Sequence, residues 1–175
     1  MRFRTALLAG LWCLSTAATV GDPVAQKSAE ALEHYRSGEY DAALNLYRDA
    51  LVDRPEAPEL HFNVGDALFK RGEYEKALQE FEQVLRAPEE KTRAQAHYNI
   101  GNSYFQQQAF EKAVESYKHS LELDPSDEDA KVNLELALEQ LQQQQQDQQQ
   151  DQQDQQDQQQ DQQDQQDQQQ DQQDQ

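Results

Sequence analysis

The 175-residue chain has one cysteine, one tryptophan and one methionine, and all three lie within its first 13 positions. Beyond Cys13, therefore, no disulfide can form and no thiolate is present to hold a metal or attack a substrate. Cations are scarce as well: 15 Lys and Arg stand against 34 Asp and Glu, a net charge of −19. A nucleic-acid surface needs clustered cations to displace phosphate counterions, and an anionic lipid surface needs them too, so neither partner is expected. Long apolar runs are almost missing. The one present, Ala6 to Val20, follows Arg2 and Arg4 and ends in small residues, with Ser15 and Ala17, or Thr16 and Ala18, at cleavage positions. That order reads as a secretory signal peptide over residues 1–18. The run is short of the ~20 apolar residues of a spanning helix, and Trp12 before Cys13 speaks against lipid anchoring. Export is the expectation, without direct membrane binding once the leader is removed; an uncleaved anchor is the alternative.

At the other end apolar side chains vanish: residues 142–175 are 25 Gln and 9 Asp, and can build no core. Asp147, Asp151, Asp154, Asp157, Asp161, Asp164, Asp167, Asp171 and Asp174 follow a 4, 3, 3 spacing. On a helix they would form a slowly winding stripe in which each like-charged pair costs ~0.2–0.5 kcal/mol, with no apolar seam to recover it. The expectation is that a helix ending near Leu141 frays through Gln142–Gln146 into a disordered anionic tail. Two roles stay open for it: an arm for a basic partner or divalent cations, or a low-complexity expansion serving solubility.

Between these ends lies a repeat. At an offset of 34, Ala31, Tyr35, Gly38, Glu39, Tyr40, Ala43, Leu44 and Tyr47 fall on Gly65, Phe69, Gly72, Glu73, Tyr74, Ala77, Leu78 and Phe81. At an offset of 36, His61 to Gly65 fall on His97 to Gly101, and Tyr74 to Ala77 on Phe110 to Ala113. Each unit holds two helical stretches broken at Gly38, Gly72 or Gln108 and closed by Pro55, Pro88 or Pro125. Small residues 12 apart, such as Gly65 with Ala77, let the two helices approach, while Tyr47, Phe81 and Tyr117 fill the space toward the next unit. One such unit cannot bury its own apolar face; stacking supplies the core.

These residues resemble the tetratricopeptide repeat, TPR. The resemblance implies an all-α, right-handed superhelical solenoid: repeats over 24–57, 58–91 and 94–127, a capping helix over 128–141, then the tail. Some positions depart from the pattern. His61 and His97 stand where the family often has Trp, Val84 and Ser120 replace an alanine, and Gln108 replaces the turn glycine, so the third turn is expected to be the least well formed. Ser126 is expected to cap the last helix, whose Val132, Leu134, Leu136, Leu138 and Leu141 would seal the third repeat.

The front helices carry more apolar surface than one packing stripe needs. A second stripe holds Phe62, Asp66, Phe69 and Lys70 in the second unit, Tyr98, Asn102, Phe105 and Gln106 in the third, and Ser28, Leu32, Tyr35 and Arg36 in the first. In TPR folds this stripe lines the concave groove, which the resemblance implies would receive a partner peptide. Filling the space between neighbouring front helices is the structural alternative. Asn63, Asn99 and Asn133 recur on three front helices; they could hold a peptide backbone or bond adjacent helices to one another. The groove candidates are therefore Tyr35, Arg36, Phe62, Asn63, Phe69, Lys70, Tyr98, Asn99, Phe105 and Asn133.

TPR co-chaperones that clamp a terminal carboxylate use paired cations and asparagines. The matching places here are Ser28, Leu32, Asn63, Gln95 and Asn99, so the cations are missing and carboxylate clamping is not expected. His34, His61, His97 and His119 lack close ligand spacing, and the chain has no nucleophile elbow, Gly-rich phosphate loop or paired-carboxylate motif. No metal, cofactor or enzymatic activity is expected. Finally, AKVNLELALEQLQQQQQ with FNVGDALF and YNIGNSYF resembles exported TPR proteins of the bacterial Bat (Bacteroides aerotolerance) group and TPR portions of von Willebrand factor A domain proteins. That resemblance implies a periplasmic adaptor beside von Willebrand factor A domain partners in stress or aerotolerance. A structural or oligomerising role through the tail, and a glutamine-rich co-chaperone, are the alternatives.

Overall fold

Proline and a capping acid start the first helix: Pro23 occupies its first turn, where a missing N–H costs nothing, and the Asp22 carboxylate accepts from the Val24 amide at 3.1 Å. The computed structural model describes residues 21–173, and the leader expected over 1–18 lies outside them. Among the described residues there are seven helices and no strand: α1 (Pro23–Arg36), α2 (Tyr40–Asp53), α3 (Pro58–Lys70), α4 (Tyr74–Val84), α5 (Glu90–Gln106), α6 (Phe110–Leu123) and α7 (Glu128–Gln173). They pack as the hairpins α1·α2, α3·α4 and α5·α6, each leaning on the next through α2·α3, α4·α5 and α6·α7. This is the all-α solenoid that the repeat implies. One apolar cluster runs from α1 to α5 around Leu44, Tyr47, Leu60, Leu68 and Phe81; a second joins α5, α6 and α7 around Tyr117.

Close approach inside a hairpin is set at Gly65 and Gly101. A Cβ at Gly65 would stand 2.6 Å from the Phe81 ring, and one at Gly101 2.5 Å from Tyr117. The large back-helix rings thus lie over the glycines of their own hairpin rather than only toward the next unit.

The third turn is as well formed as the others. Gly38 and Gly72 take φ of 78° and 77°, and Gln108 takes φ of 59°. All three make the same pair of reverse bonds: Gly38 and Glu39 donate to Tyr35 and His34 at 3.0 and 2.9 Å, Gln108 and Ala109 to Phe105 and Tyr104 at 2.9 and 3.0 Å. The same T-shaped aromatic pair also clasps each turn, at Tyr35–Tyr40, Phe69–Tyr74 and Phe105–Phe110. Turn bonds and ring contact together hold Gln108 in a region that side chains resist.

The last helix departs from expectation in three ways. Its cap is Asp127, whose Oδ1 accepts from the Ala130 amide at 3.0 Å; Ser126 instead donates to Asp124 at 2.6 Å. Of the expected sealing residues Leu134 and Leu141 do pack on α6, joined one turn apart by Ala130 and Ala137, while Val132, Leu136 and Leu138 stay exposed. And it does not fray near Gln146 into a disordered tail: α7 continues to Gln173. Packing on α6 supplies the costly helix nucleus, glutamine is a good helix former, and Gln143 Nε2 donates to Asp147 at 2.7 Å one turn on. Among the described residues no helix is long and apolar enough to cross a membrane.

Candidate functional site

Helices α1, α3, α5 and α7 present equivalent positions along one side of the stack. One row reads Ser28, Phe62, Tyr98, Val132; the next Leu32, Asp66, Asn102, Leu136; a third Tyr35, Phe69, Phe105, Glu139. Exposed apolar side chains gather here: Leu32, Leu136 and Val132 keep 37%, 42% and 62% of their surface open. Three recesses break this surface. Leu32, Tyr35, Tyr47, Asn63 and Asp66 enclose about 70 Å³. Phe69, Asn102, Phe105, Gln106, Tyr117, Asn133 and Leu136 line about 300 Å³ between α3, α5 and α7. Nearer the helix starts, Phe62 and Asn63 join Pro58, Glu59, Pro88, Glu89, Thr92 and Gln95 around about 410 Å³.

A polar network underlies the α5 to α7 half. Asn102 Oδ1 accepts from the Tyr117 hydroxyl at 2.8 Å and from Asn133 Nδ2 at 2.9 Å, which fills both its lone pairs. Asn133 Nδ2 also donates to the Tyr98 hydroxyl at 3.1 Å, and Asn99 Nδ2 to Asp66 Oδ1 at 3.0 Å. Burial dominates the acid–base behaviour. It pushes Tyr35 up to about 12 and raises Tyr47 and Tyr117, so all three stay neutral. It also pushes the Asp66 carboxyl up to about 6, against a smaller opposing pull from Lys70.

Family models for the tetratricopeptide repeat match residues 28–91 and 94–127, together more than half of the chain. The chain belongs to the tetratricopeptide repeat family. Solved TPR structures share its fold. The first TPR of Spaghetti (RPAP3), bound to HSP90 peptide SRMEEVD, aligns with a TM-score of 0.63 and 22% identity over 68% of this chain and 93% of its own. The Sgt2 TPR domain from Aspergillus fumigatus gives 0.63 and 22% over 68% and 79%. The Yersinia enterocolitica type III secretion translocator chaperone SycD gives 0.61 and 16% over 66% and 92%. At these identities the likeness is one of fold. No curated protein matches the chain in sequence.

Within this TPR stack the sequence candidates divide. Tyr35, Phe62, Asn63, Phe69, Phe105 and Asn133 line the three recesses. Arg36 and Lys70 are exposed and line none of them, and Arg36 pairs with Glu33 at 3.1 Å on its own helix. Tyr98 and Asn99 are drawn into bonds between helices, because at this close spacing an asparagine meets the neighbouring front helix before it meets solvent. Of the asparagine ladder, Asn63 lines two recesses, Asn99 joins α5 to α3, and Asn133 joins α7 to α5 while bordering one recess. Asp66, Leu136 and Val132 are site residues beyond the ten groove candidates; the signal for Asp66 in the sequence is a charge at a register otherwise apolar or amide.

Histidines serve packing and bonding. His61 Nε2 donates to the Pro55 carbonyl at 2.8 Å while Nδ1 meets Glu80 at 2.7 Å, and the His97 ring lies 5.3 Å from that of His119. Among the described residues, no group of three His, Cys, Asp or Glu is placed to hold a metal ion.

Proposed function

We propose that this TPR protein is a non-enzymatic, exported adaptor that holds an extended segment of a partner protein along the front helices. The observation that carries the reading is the row of recesses, lined in part by exposed Leu32 and Leu136 and by the Phe69 and Phe105 rings. A folded monomer leaves such apolar groups together where a partner covers them, and aromatic anchors supply much of the energy of an interface. The leader-like start and the Bat-type resemblance support a bacterial periplasmic setting beside a von Willebrand factor A domain protein in stress or aerotolerance. Solved relatives in fold were captured with HSP90 peptide SRMEEVD and HSP70 peptide SGPTIEEVD, which supports peptide binding by this architecture. A co-chaperone of that kind is the weaker reading here, because none of the five clamp positions, Ser28, Leu32, Asn63, Gln95 and Asn99, is a cation, and Asn99 is bonded to an acid.

The test is capture of a von Willebrand factor A domain protein encoded beside this gene. Phe69→Ala with Phe105→Ala is expected to abolish capture while circular dichroism reports an intact fold. Unchanged capture by that folded variant would sink the groove reading. The length of α7 supports a second reading, a structural or oligomerising role for the tail: 46 helical residues extend roughly 70 Å. Truncation after Leu141 separates the two, since the adaptor reading expects capture to survive it and the tail reading expects assembly, followed by light scattering, to be lost.

A further inference from the structure

Asp66 stands where α1 and α7 carry Leu32 and Leu136 and α5 carries Asn102. Asn102 is saturated by its neighbours; the hydrogen-bond partner of Asp66 is Asn99. None of the ion pairs among the described residues includes it. The cation that acts on it is Lys70, one turn along α3 and exposed, while Arg36 on α1 is engaged by Glu33. In front of the carboxylate, Leu32, Tyr35, Tyr47 and Asn63 leave a recess of about 70 Å³, roughly the share of two water molecules. That is room for the head of a long side chain and too little for a whole aromatic residue.

We infer that this recess is a subsite for a lysine or arginine side chain, so that the partner segment carries a cation flanked by apolar residues. The inference rests on the groove reading and names the chemistry of its occupant. An ammonium or guanidinium here would make a charge-assisted bond to Asp66 and lie against the tyrosine rings, whose faces attract cations. It would supply the countercharge that burial otherwise denies the carboxylate. A segment ending in acids would bring like charge against the same group. Front helices packed ~8–10 Å apart and an extended chain rising ~3.3 Å per residue set the spacing. An apolar residue about three positions from the cation would reach the Phe69–Phe105–Leu136 recess, and Leu32, which borders the cation recess itself, would meet an apolar side chain nearer the cation.

The test pans a random dodecapeptide display library on the immobilised full chain and on its Asp66→Asn and Phe69→Ala/Phe105→Ala variants, then measures enriched peptides by fluorescence anisotropy at pH 7.5. Enriched sequences are expected to share one Lys or Arg with apolar residues about three positions away. Asp66→Asn is expected to weaken them by tenfold or more, with its melting temperature not below that of the parent. Replacing the shared cation by norleucine should cause the same loss on the parent chain, which needs no variant to fold, and no further loss on Asp66→Asn. Enriched peptides without a shared cation, or insensitive to both replacements, overturn the cation subsite while leaving the groove reading standing. An absence of enrichment, or peptides indifferent to the two phenylalanine replacements, overturns the groove reading and the subsite with it.

Discussion

Asp66 and Asn102 project from the same register of neighbouring front helices, yet they live in different chemistry. Asn102 sits between the Tyr117 hydroxyl and the Asn133 amide, and its carbonyl is used twice. Asp66 has burial without matching compensation: one bond from Asn99, a smaller pull from Lys70 one turn away, and a carboxyl pushed up to about 6. The α5 to α7 half of the groove is therefore cross-linked by polar bonds, and the α1 to α3 half holds a charge that folding leaves under-compensated. Repetition of sequence fixes where a side chain points; the neighbours from other units decide whether it serves the fold or remains available to a ligand.

The largest effect comes from breaking the saturated side. Asn102→Leu installs the residue type that α1 and α7 carry at this register, and removes the acceptor of two donors at once. The Tyr117 side chain is buried, so its hydroxyl cannot turn to water. Stability is expected to fall by about 2–3 kcal/mol, read as a lower urea midpoint.

A smaller effect, opposite in sign, is expected on the other side. Asp66→Asn keeps the acceptor for Asn99 and removes the ionisable group. The folded pKa of Asp66, about 6, lies above the 3.8 of a free side chain, so between those values the folded state binds more protons than the unfolded one. Stability from this group is present below that window and is lost as pH rises through it. The variant should accordingly gain about 1–2 kcal/mol at pH 7.5, and the gain should shrink to nothing near pH 4. Thermal melts of both proteins across that range test it; a gain that persists at pH 4 would contradict the desolvation account.

Much of this architecture was legible in the chain. The small residues Gly65 and Gly101, the turn glycines and the closing prolines are local signals, because each answers a requirement of its own hairpin; the partners of Gly65 and Gly101 are the Phe81 and Tyr117 rings rather than Ala77 and Ala113. What required coordinates was contact across units. Nothing in the repeat says that Asn99 meets Asp66 or that Asn133 meets Tyr98, since those pairs lie 33 and 35 residues apart. The end of the stack depends on contact across units too: Leu134 and Leu141 seal it as their spacing implies, and the rest follows from which side of α7 faces α6. Val132, Leu136 and Leu138 look like sealing residues by composition, but only Ala130, Leu134, Ala137 and Leu141 share the side that faces α6. Asp127 rather than Ser126 caps α7 because Ser126 is held in a turn by Asp124. Repulsion between the acids of the tail argues for fraying, whereas an already nucleated helix needs only weak favourable steps to propagate.

The least effect is expected where the halves differ in a single turn. Gly72 and Gln108 occupy the same left-handed position, at φ of 77° and 59°, with the same reverse hydrogen bonds. A side chain there costs roughly 1–2 kcal/mol of local strain, part of which is recovered because a non-glycine residue leaves the unfolded chain less freedom to lose. Gln108→Gly should therefore raise stability by only about 0.5 kcal/mol, a shift of a few degrees or less in melting temperature. If the variant is instead less stable than the parent, the Gln108 side chain contributes a contact that outweighs its backbone strain, and the third turn is held by more than the bonds it shares with the other two.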